Sequence, residues 1–409
     1  MKSRPLIVYL HRYPPEYEVV HYCAMRPLCD RLLEKYDVLD VSMKGAMPLS
    51  PELRRGMRII ELPLRVNLSS GVSKLVKTAL FYIYLPFTYL KIRKAQPDLI
   101  VCQESLPFIP ILMSRMGVPI MIGAVSDFWW RIILGGNPLG SRIADYMERF
   151  EVRQWRRRQI TVLTGTKSES DLIIQRGMDI QYVHAILTQN QPGLFFPCQA
   201  NVDREKLGLT PEHWVIAIHG TIRPGKGYSQ LLEWWQAIVR LHPNWHLLII
   251  GGAGGEEWCQ RLICRRRLEA NVHMTGWLPT HKEVNQYLNA ADCLLVIRRN
   301  SDDNQGVLPS ALPHSLATGK PTVATGLAGI TEIVRHGIDG FIFEPDNYNS
   351  FRSTLEYVAA HPVEAAKVGQ AGMARERECF NPNVAAEKIA EVIERIISNA
   401  KSGRLPKLD

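Results

Sequence analysis

Residues 219–227 read HGTIRPGKG. An apolar run ends at His219, three glycines with Arg223 and Lys226 follow, and an amphipathic stretch, YSQLLEWW, begins at Tyr228. A strand that hands over to a helix through such a turn presents unpaired backbone N–H groups and the positive end of the helix dipole. Gly220, Gly225 and Gly227 let the backbone approach a ligand closely. Arg223 adds a planar fork and Lys226 a point charge, a pair suited to a diphosphate. The same composition also describes an ordinary turn with two solvated cations, so the surrounding elements have to decide between the two readings.

Those elements alternate. Short apolar runs at 6–10, 38–42, 58–62, 98–102, 119–124 and 160–164, and again at 215–219, 246–250, 272–276, 293–297, 321–325 and 340–344, are separated by stretches of helical period. Strand alternating with helix predicts doubly wound parallel sheets, here twice over. The fold class is therefore α/β, with two Rossmann-like domains facing across a cleft. The expected boundaries are 1–190 for an acceptor-binding domain and 200–375 for a nucleotide-binding domain. A helical region, 376–409, is expected to cross back to the first domain. The segment 187–209 lacks periodicity, carries Pro192, Gly193 and Pro197, and reads as the linker. In doubly wound sheets ligands sit at the carboxyl ends of the strands, where residues 220–227 fall.

The chain has 409 residues, 46% of them hydrophobic and 22% charged, with a net charge of +9. Residues 1–200 hold 26 Lys+Arg against 17 Asp+Glu, while the remainder holds 23 against 23. The whole excess lies in the first half, which is expected to meet something anionic. No helix-turn-helix, zinc-finger or RNP pattern supports a nucleic acid. The eight cysteines are scattered without a CxxC pair, which predicts reduced, mostly buried thiols in a cytosolic protein. No window reaches the length of a transmembrane helix, and the first apolar run is too short for a signal peptide.

From residue 215 onward the segments VIAIHGTIRPGKG, LLIIGGAGGEEW, VHMTGWLP, VNQYLNAADCLLVI, NQGVLPSALPHSLATGKPTVAT and GITEIVRHGIDGFIFEPDN follow one another. Their order and spacing resemble the donor-binding half of family 4 glycosyltransferases of the GT-B type. KAQPDLIVCQE (94–104), GVPIMIGAVSD (117–127) and QNQPGLFFP (189–197) extend the resemblance more weakly into the first half. The resemblance implies transfer of a sugar from a nucleotide-sugar donor to an acceptor, with retention at the anomeric carbon and without a bound metal. It also implies that Gly220, Thr221, Arg223 and Lys226 hold the donor phosphates, with Arg223 and Lys226 neutralising the leaving diphosphate. Thr221 stands where the family commonly has a basic residue, so Arg223 takes that role two positions later.

The chain departs from the family at the Glu-x7-Glu pair that contacts the donor sugar and the ribose. Those positions are Gly306 and His314 here. His314 can hydrogen-bond a ribose or be a packing histidine, and the backbone of Gln305, Gly306, Val307 and Leu308 can hold sugar and phosphates. Asp302 and Asp303 are candidate substitutes for the lost carboxylate. The family's His-Asp after the fifth strand is Ser126–Asp127. Asp127 is then either the catalytic carboxylate of the first domain or a helix N-cap; Glu104 is a weaker candidate.

Residues 71–95 form a largely apolar, aromatic run between basic ends, RQWRRRQ (153–159) adds a cationic cluster, and Trp129, Trp130 and Arg131 are candidate acceptor contacts. Each is either a core element with solvated cations or part of a surface held on anionic headgroups. Together they point to a peripheral protein at the cytoplasmic membrane face, acting on a saccharide or lipid-linked acceptor in cell-envelope or exopolysaccharide synthesis. The alternative is a non-catalytic nucleotide-sugar-binding or scaffold protein of the same fold.

Overall fold

The computed structural model describes residues 4–10, 25–43, 57–62, 71–103, 105–123, 130, 134, 137–187, 193–200, 202, 204, 207–252, 254–301, 304 and 306–402. Of the named candidates, Glu104, Asp127, Trp129, Arg131, Asp302, Asp303 and Gln305 lie outside them. The chain divides into two compact units. One comprises Met1–Gln189 with Pro382–Asp409, the other Asn190–Asn381.

The first unit contains strands β1 (Leu6–Leu10), β2 (Asp37–Met43), β3 (Met57–Leu62), β4 (Leu99–Cys102), β5 (Ile120–Ile122), β6 (Thr161–Thr164) and β7 (Val183–Ala185). Its helices are α1 (Met25–Lys35), α2 (Gly71–Ala95), α3 (Ile109–Ser114), α4 (Pro138–Arg157) and α5 (Lys167–Gln175). Among the described residues the strands form one parallel sheet in the order β3-β2-β1-β4-β5-β6-β7. The runs LIVYL and LIVC are buried throughout, as expected for strands covered on both faces. β7 was not among the runs predicted from the sequence. It has three residues and is held by pairing with β6 and by the Ile186 N–H donated to Thr164 O at 2.8 Å.

One sheet face is covered by α2, α3 and α4, whose Phe81, Ile92, Met113, Val152 and Trp155 share a core with Val8, Ile100 and Ile122. The other is covered by α1 and by the last helix, Pro382–Lys401, whose Ile389, Ile393 and Ile397 pack with Leu28, Leu32 and Tyr9. Their spacing of four places these isoleucines on one helix face. The boundary between the units along the chain thus falls at residue 382, and residue 376 lies inside the preceding helix.

The second unit contains β8 (Trp214–His219), α6 (Tyr228–Leu241), β9 (Trp245–Ile250), α7 (Glu256–Arg265), β10 (Val272–Gly276), α8 (His281–Asn289) and β11 (Cys293–Val296). It continues with α9 (Ala311–Ala317), β12 (Thr322–Thr325), α10 (Ala328–Thr331), β13 (Phe341–Phe343), α11 (Tyr348–Ala360) and α12 (Pro362–Cys379); the final helix, of the first unit, is α13 (Pro382–Lys401). The parallel sheet runs β10-β9-β8-β11-β12-β13. The chain moves outward from β8 to β10 on one side, then returns to continue from β11 on the other. The carboxyl ends of β8 and β11 therefore flank the topological switch point, where such sheets bind ligands. Among the described cysteines, Cys102, Cys259 and Cys293 are buried, Cys198 and Cys379 half-buried and Cys264 exposed, all of them free thiols.

Candidate functional site

The segment 220–227 lies at the switch point. Gly220 follows β8 with φ 116°, a conformation that L side chains rarely adopt, and its N–H donates to Ile250 O at 2.9 Å. The Ile222 N–H donates to Gly252 O at 2.8 Å, so the turn after β9 braces the turn after β8. At Gly251 a Cβ would lie 2.6 Å from Gly220 O, which makes this second glycine-rich turn a packing partner of the first. Residues Pro224–Lys226 form one 3₁₀ turn, closed by the Lys226 N–H on Arg223 O, and Gly227 starts α6 without a side-chain cap. The first N–H groups of α6 are thus not taken by a capping side chain. On the other flank, a Cβ at Gly227 would approach Ile297 to 3.5 Å and the Arg299 backbone to 3.6 Å, so the segment after β11 packs beside the loop.

The site residues differ in their surroundings. Arg223 is exposed at the turn, Thr221 is half-exposed, and Lys226 is half-buried. Lys226 is close enough to His219 to help depress its pKa. Arg298, at the carboxyl end of β11, acts on His219 in the same way. Its backbone N–H donates to Thr325 Oγ1 and its Nη1 to Ile297 O, each at 3.1 Å. Lys226 in the loop after β8 and Arg298 after β11 thus both act electrostatically on the end of β8. Arg298 was not singled out in the sequence, where RRN after an apolar run reads as solvated surface.

His314 is buried in α9. Its Nδ1 shares a hydrogen bond of 3.3 Å with Nε2 of His219, and Phe195 stacks on it at 4.0 Å between ring centroids. The linker holds Phe195 there because Asn285 Oδ1 and Asn289 Oδ1 of α8 accept the N–H groups of Phe196 and Cys198. Burial first, then Lys226, Arg298 and His281, together lower the pKa of His219 to about 3. His314 is also pushed well below its ordinary range, first by burial, then by His219 and His281. Both rings are neutral at physiological pH, so His314 offers a neutral hydrogen-bonding edge where the resembled family has a carboxylate. Gly306 and Leu308 are buried and Val307 is half-buried; a Cβ on Gly329 of α10 would press on the carbonyls of Gly306 and Val307, with Gly306 O at 2.5 Å.

In the first unit, Trp130 donates its indole N–H to Glu151 Oε2 at 2.8 Å and meets Phe108 edge-on at 5.6 Å, so its ring is held within that domain. Burial raises the Glu151 pKa to about 7 against the two N–H groups, of Phe108 and Trp130, that bond it. Within RQWRRRQ, Trp155 is buried while Arg153, Arg156 and Arg157 are exposed. No group of three or more His, Cys, Asp or Glu among the described residues is arranged to hold a metal ion.

The glycine-rich turn at the switch point lies within a region that matches a family model. Residues 199–375 match the family described as glycosyl transferases group 1. Amylovoran biosynthesis glycosyltransferase AmsK of Erwinia amylovora is 24% identical over 205 residues, 47% of this chain and 50% of that protein. Lipopolysaccharide core biosynthesis mannosyltransferase LpsB of Rhizobium meliloti is 24% identical over 204 residues, 47% of this chain and 55% of its own. The chain spans about half the length of the curated relatives it matches. Anabaena HepE, solved with UDP and glucose, superposes with a TM-score of 0.70 at 16% identity, covering 96% of this chain and 100% of that one. That similarity extends through both units and gives the fold as GT-B, two Rossmann-like parallel-sheet domains.

Proposed function

We propose that the protein is a glycosyltransferase that moves a sugar from a nucleotide-sugar donor to a saccharide or lipid-linked acceptor in envelope or exopolysaccharide synthesis, with retention at the anomeric carbon. The observation that carries this reading is the loop 220–227, braced by the β9 turn and flanked by Lys226 and Arg298 at the switch point of the family domain. In the reaction the bond from the anomeric carbon to the diphosphate breaks, the acceptor oxygen forms the new bond, and the acceptor proton is released. Negative charge collects on the leaving diphosphate, where fixed cations and helix N–H groups are most effective. Among the described residues the groups there are cationic and neutral, and the proposal gives charge neutralisation to Lys226, Arg298 and Arg223. His314 would meet the ribose as a neutral partner, its ring held by Phe195 and His219. The first unit, basic in composition, would sit at the cytoplasmic face of an anionic membrane. No described helix is long and apolar enough to cross one.

The replacement of both family glutamates, by Gly306 and His314, favours a second reading: a nucleotide-sugar-binding scaffold without turnover. A thermal-shift panel of UDP-, GDP- and ADP-sugars tests the common element of both. Stabilisation by one nucleotide class is expected. No stabilisation by any of them would remove the donor site. Release of nucleoside diphosphate in the presence of a membrane extract as acceptor source separates enzyme from scaffold.

A further inference from the structure

We propose that the outer face of α4 is a docking surface for an anionic phospholipid bilayer. The proposal rests on the membrane-face reading of the first unit given above and names the surface that makes the contact. Helix α4 has two faces. Ala144, Glu148, Glu151, Val152 and Trp155 point into the domain and are buried. Opposite them stand Leu139, Ile143, Tyr146 and Phe150, exposed to 69%, 46%, 65% and 39%. Spacings of four, three and four residues place these side chains on one line about 16 Å long. Single exposed apolar side chains are ordinary on a soluble domain, whereas an aligned row marks a surface that meets something apolar.

Charge identifies the partner. The line continues into Arg153 and Arg157 and is flanked by Arg142 and Arg149, all exposed. Of the acids of α4, Glu148 and Glu151 are buried and Asp145 pairs with Arg149 at 2.8 Å, which leaves Arg142, Arg153 and Arg157 without an offsetting acid on this helix. Another helix of the same layer, α2, also exposes apolar side chains beside a lysine. On α2, Ile83, Phe87 and Leu90 are exposed to 69%, 48% and 63%, and Lys91 lies 4.4 Å from the Phe87 ring centre. The two helices are tied through one turn, because Tyr82 donates its hydroxyl to Pro107 O and the next residue, Phe108, donates its N–H to Glu151. Pairing this face with a second copy would bring arginine edges together. An anionic headgroup layer takes the arginines while the acyl boundary takes the apolar line.

Co-sedimentation of the full chain with vesicles of phosphatidylcholine, alone or mixed with phosphatidylglycerol, tests this. Wild type is expected to bind the mixed vesicles and not the neutral ones. The pairs Ile143→Ser with Tyr146→Ser and Arg153→Glu with Arg157→Glu should each weaken binding at least about tenfold. Because all four side chains are exposed, melting temperature and nucleotide-sugar binding should stay as in wild type. Wild-type binding that neither pair reduces would overturn the α4 surface and leave the membrane reading standing. No wild-type binding to either vesicle would overturn both. A dimer in sedimentation velocity that Ile143→Ser with Tyr146→Ser dissociates, without change in vesicle binding, would make the face a self-interface and also overturn the proposal.

Discussion

The neutral histidine pair at the end of β8, beside the loop 220–227, gives the second unit a specific acid sensitivity. His219 has its folded pKa lowered from 6.5 to about 3 by burial and by Lys226, Arg298 and His281, so the unfolded chain binds the proton first. The sign follows: the contribution is fully present above about pH 6.5 and is lost as pH falls from there toward about 3. Going from pH 8 to pH 5, protonation of the unfolded imidazole alone removes about 2 kcal/mol, and this figure barely changes for any folded pKa below about 4. For a unit of this size that is about 4–8 °C of melting temperature. His314 acts in the same direction. The assay is calorimetric melting of wild type and His219→Gln at both pH values, following the transition that a nucleotide-sugar donor shifts. Glutamine places an amide nitrogen near the Nε2 position and does not titrate, so the variant should lose about 4–8 °C less than wild type between pH 8 and pH 5. Equal losses would refute the claim that this histidine is buried and neutral.

Four further outcomes follow from other positions. Gly251→Ala should destabilise the second unit by about 2–3 kcal/mol in urea melts, because the added carbon meets Gly220 O at 2.6 Å and φ is 115°. Gly225→Ala, whose Cβ would meet nothing within 4 Å, should stay within about 0.5 kcal/mol of wild type. Arg298→Ala should weaken nucleotide-sugar affinity about tenfold or more in calorimetric titration while leaving the melting temperature of the free protein nearly unchanged. Arg176→Met removes the charged partner that bonds Glu148 Oε2 at 3.1 Å inside the first unit, and urea unfolding should show a loss of about 3–5 kcal/mol there.

The parallel strands were legible because strands buried on both faces must be largely apolar, and LIVYL, LIVC and the LLII that ends β9 are apolar runs. β7 was not, since VHA carries no such run and exists through its pairing with β6. The strand, turn and helix of 214–241 could be read from an apolar run, a glycine-rich turn and an amphipathic stretch in succession. Arg298 could not, because its value comes from β11 lying beside β8, a fact of sheet order rather than of local composition. The contact between His219 and His314 spans 95 residues, and the stacking of Phe195 on His314 depends on asparagines of α8 that look like ordinary helix residues in the sequence. In α4 the row Leu139, Ile143, Tyr146, Phe150 has a spacing that equally fits a core-facing stripe. Only the burial of Ala144, Val152 and Trp155 on the opposite side turns it outward.

The central claim is that residues 220–227 hold the diphosphate of a nucleotide sugar. Titration calorimetry of wild type and Lys226→Ala with the nucleoside diphosphate selected by the donor panel tests it most directly. The account predicts binding by wild type and a loss of at least about a hundredfold in the variant, at an unchanged melting temperature. Equal affinity in the two proteins would contradict it and return the loop to an ordinary strand-to-helix turn.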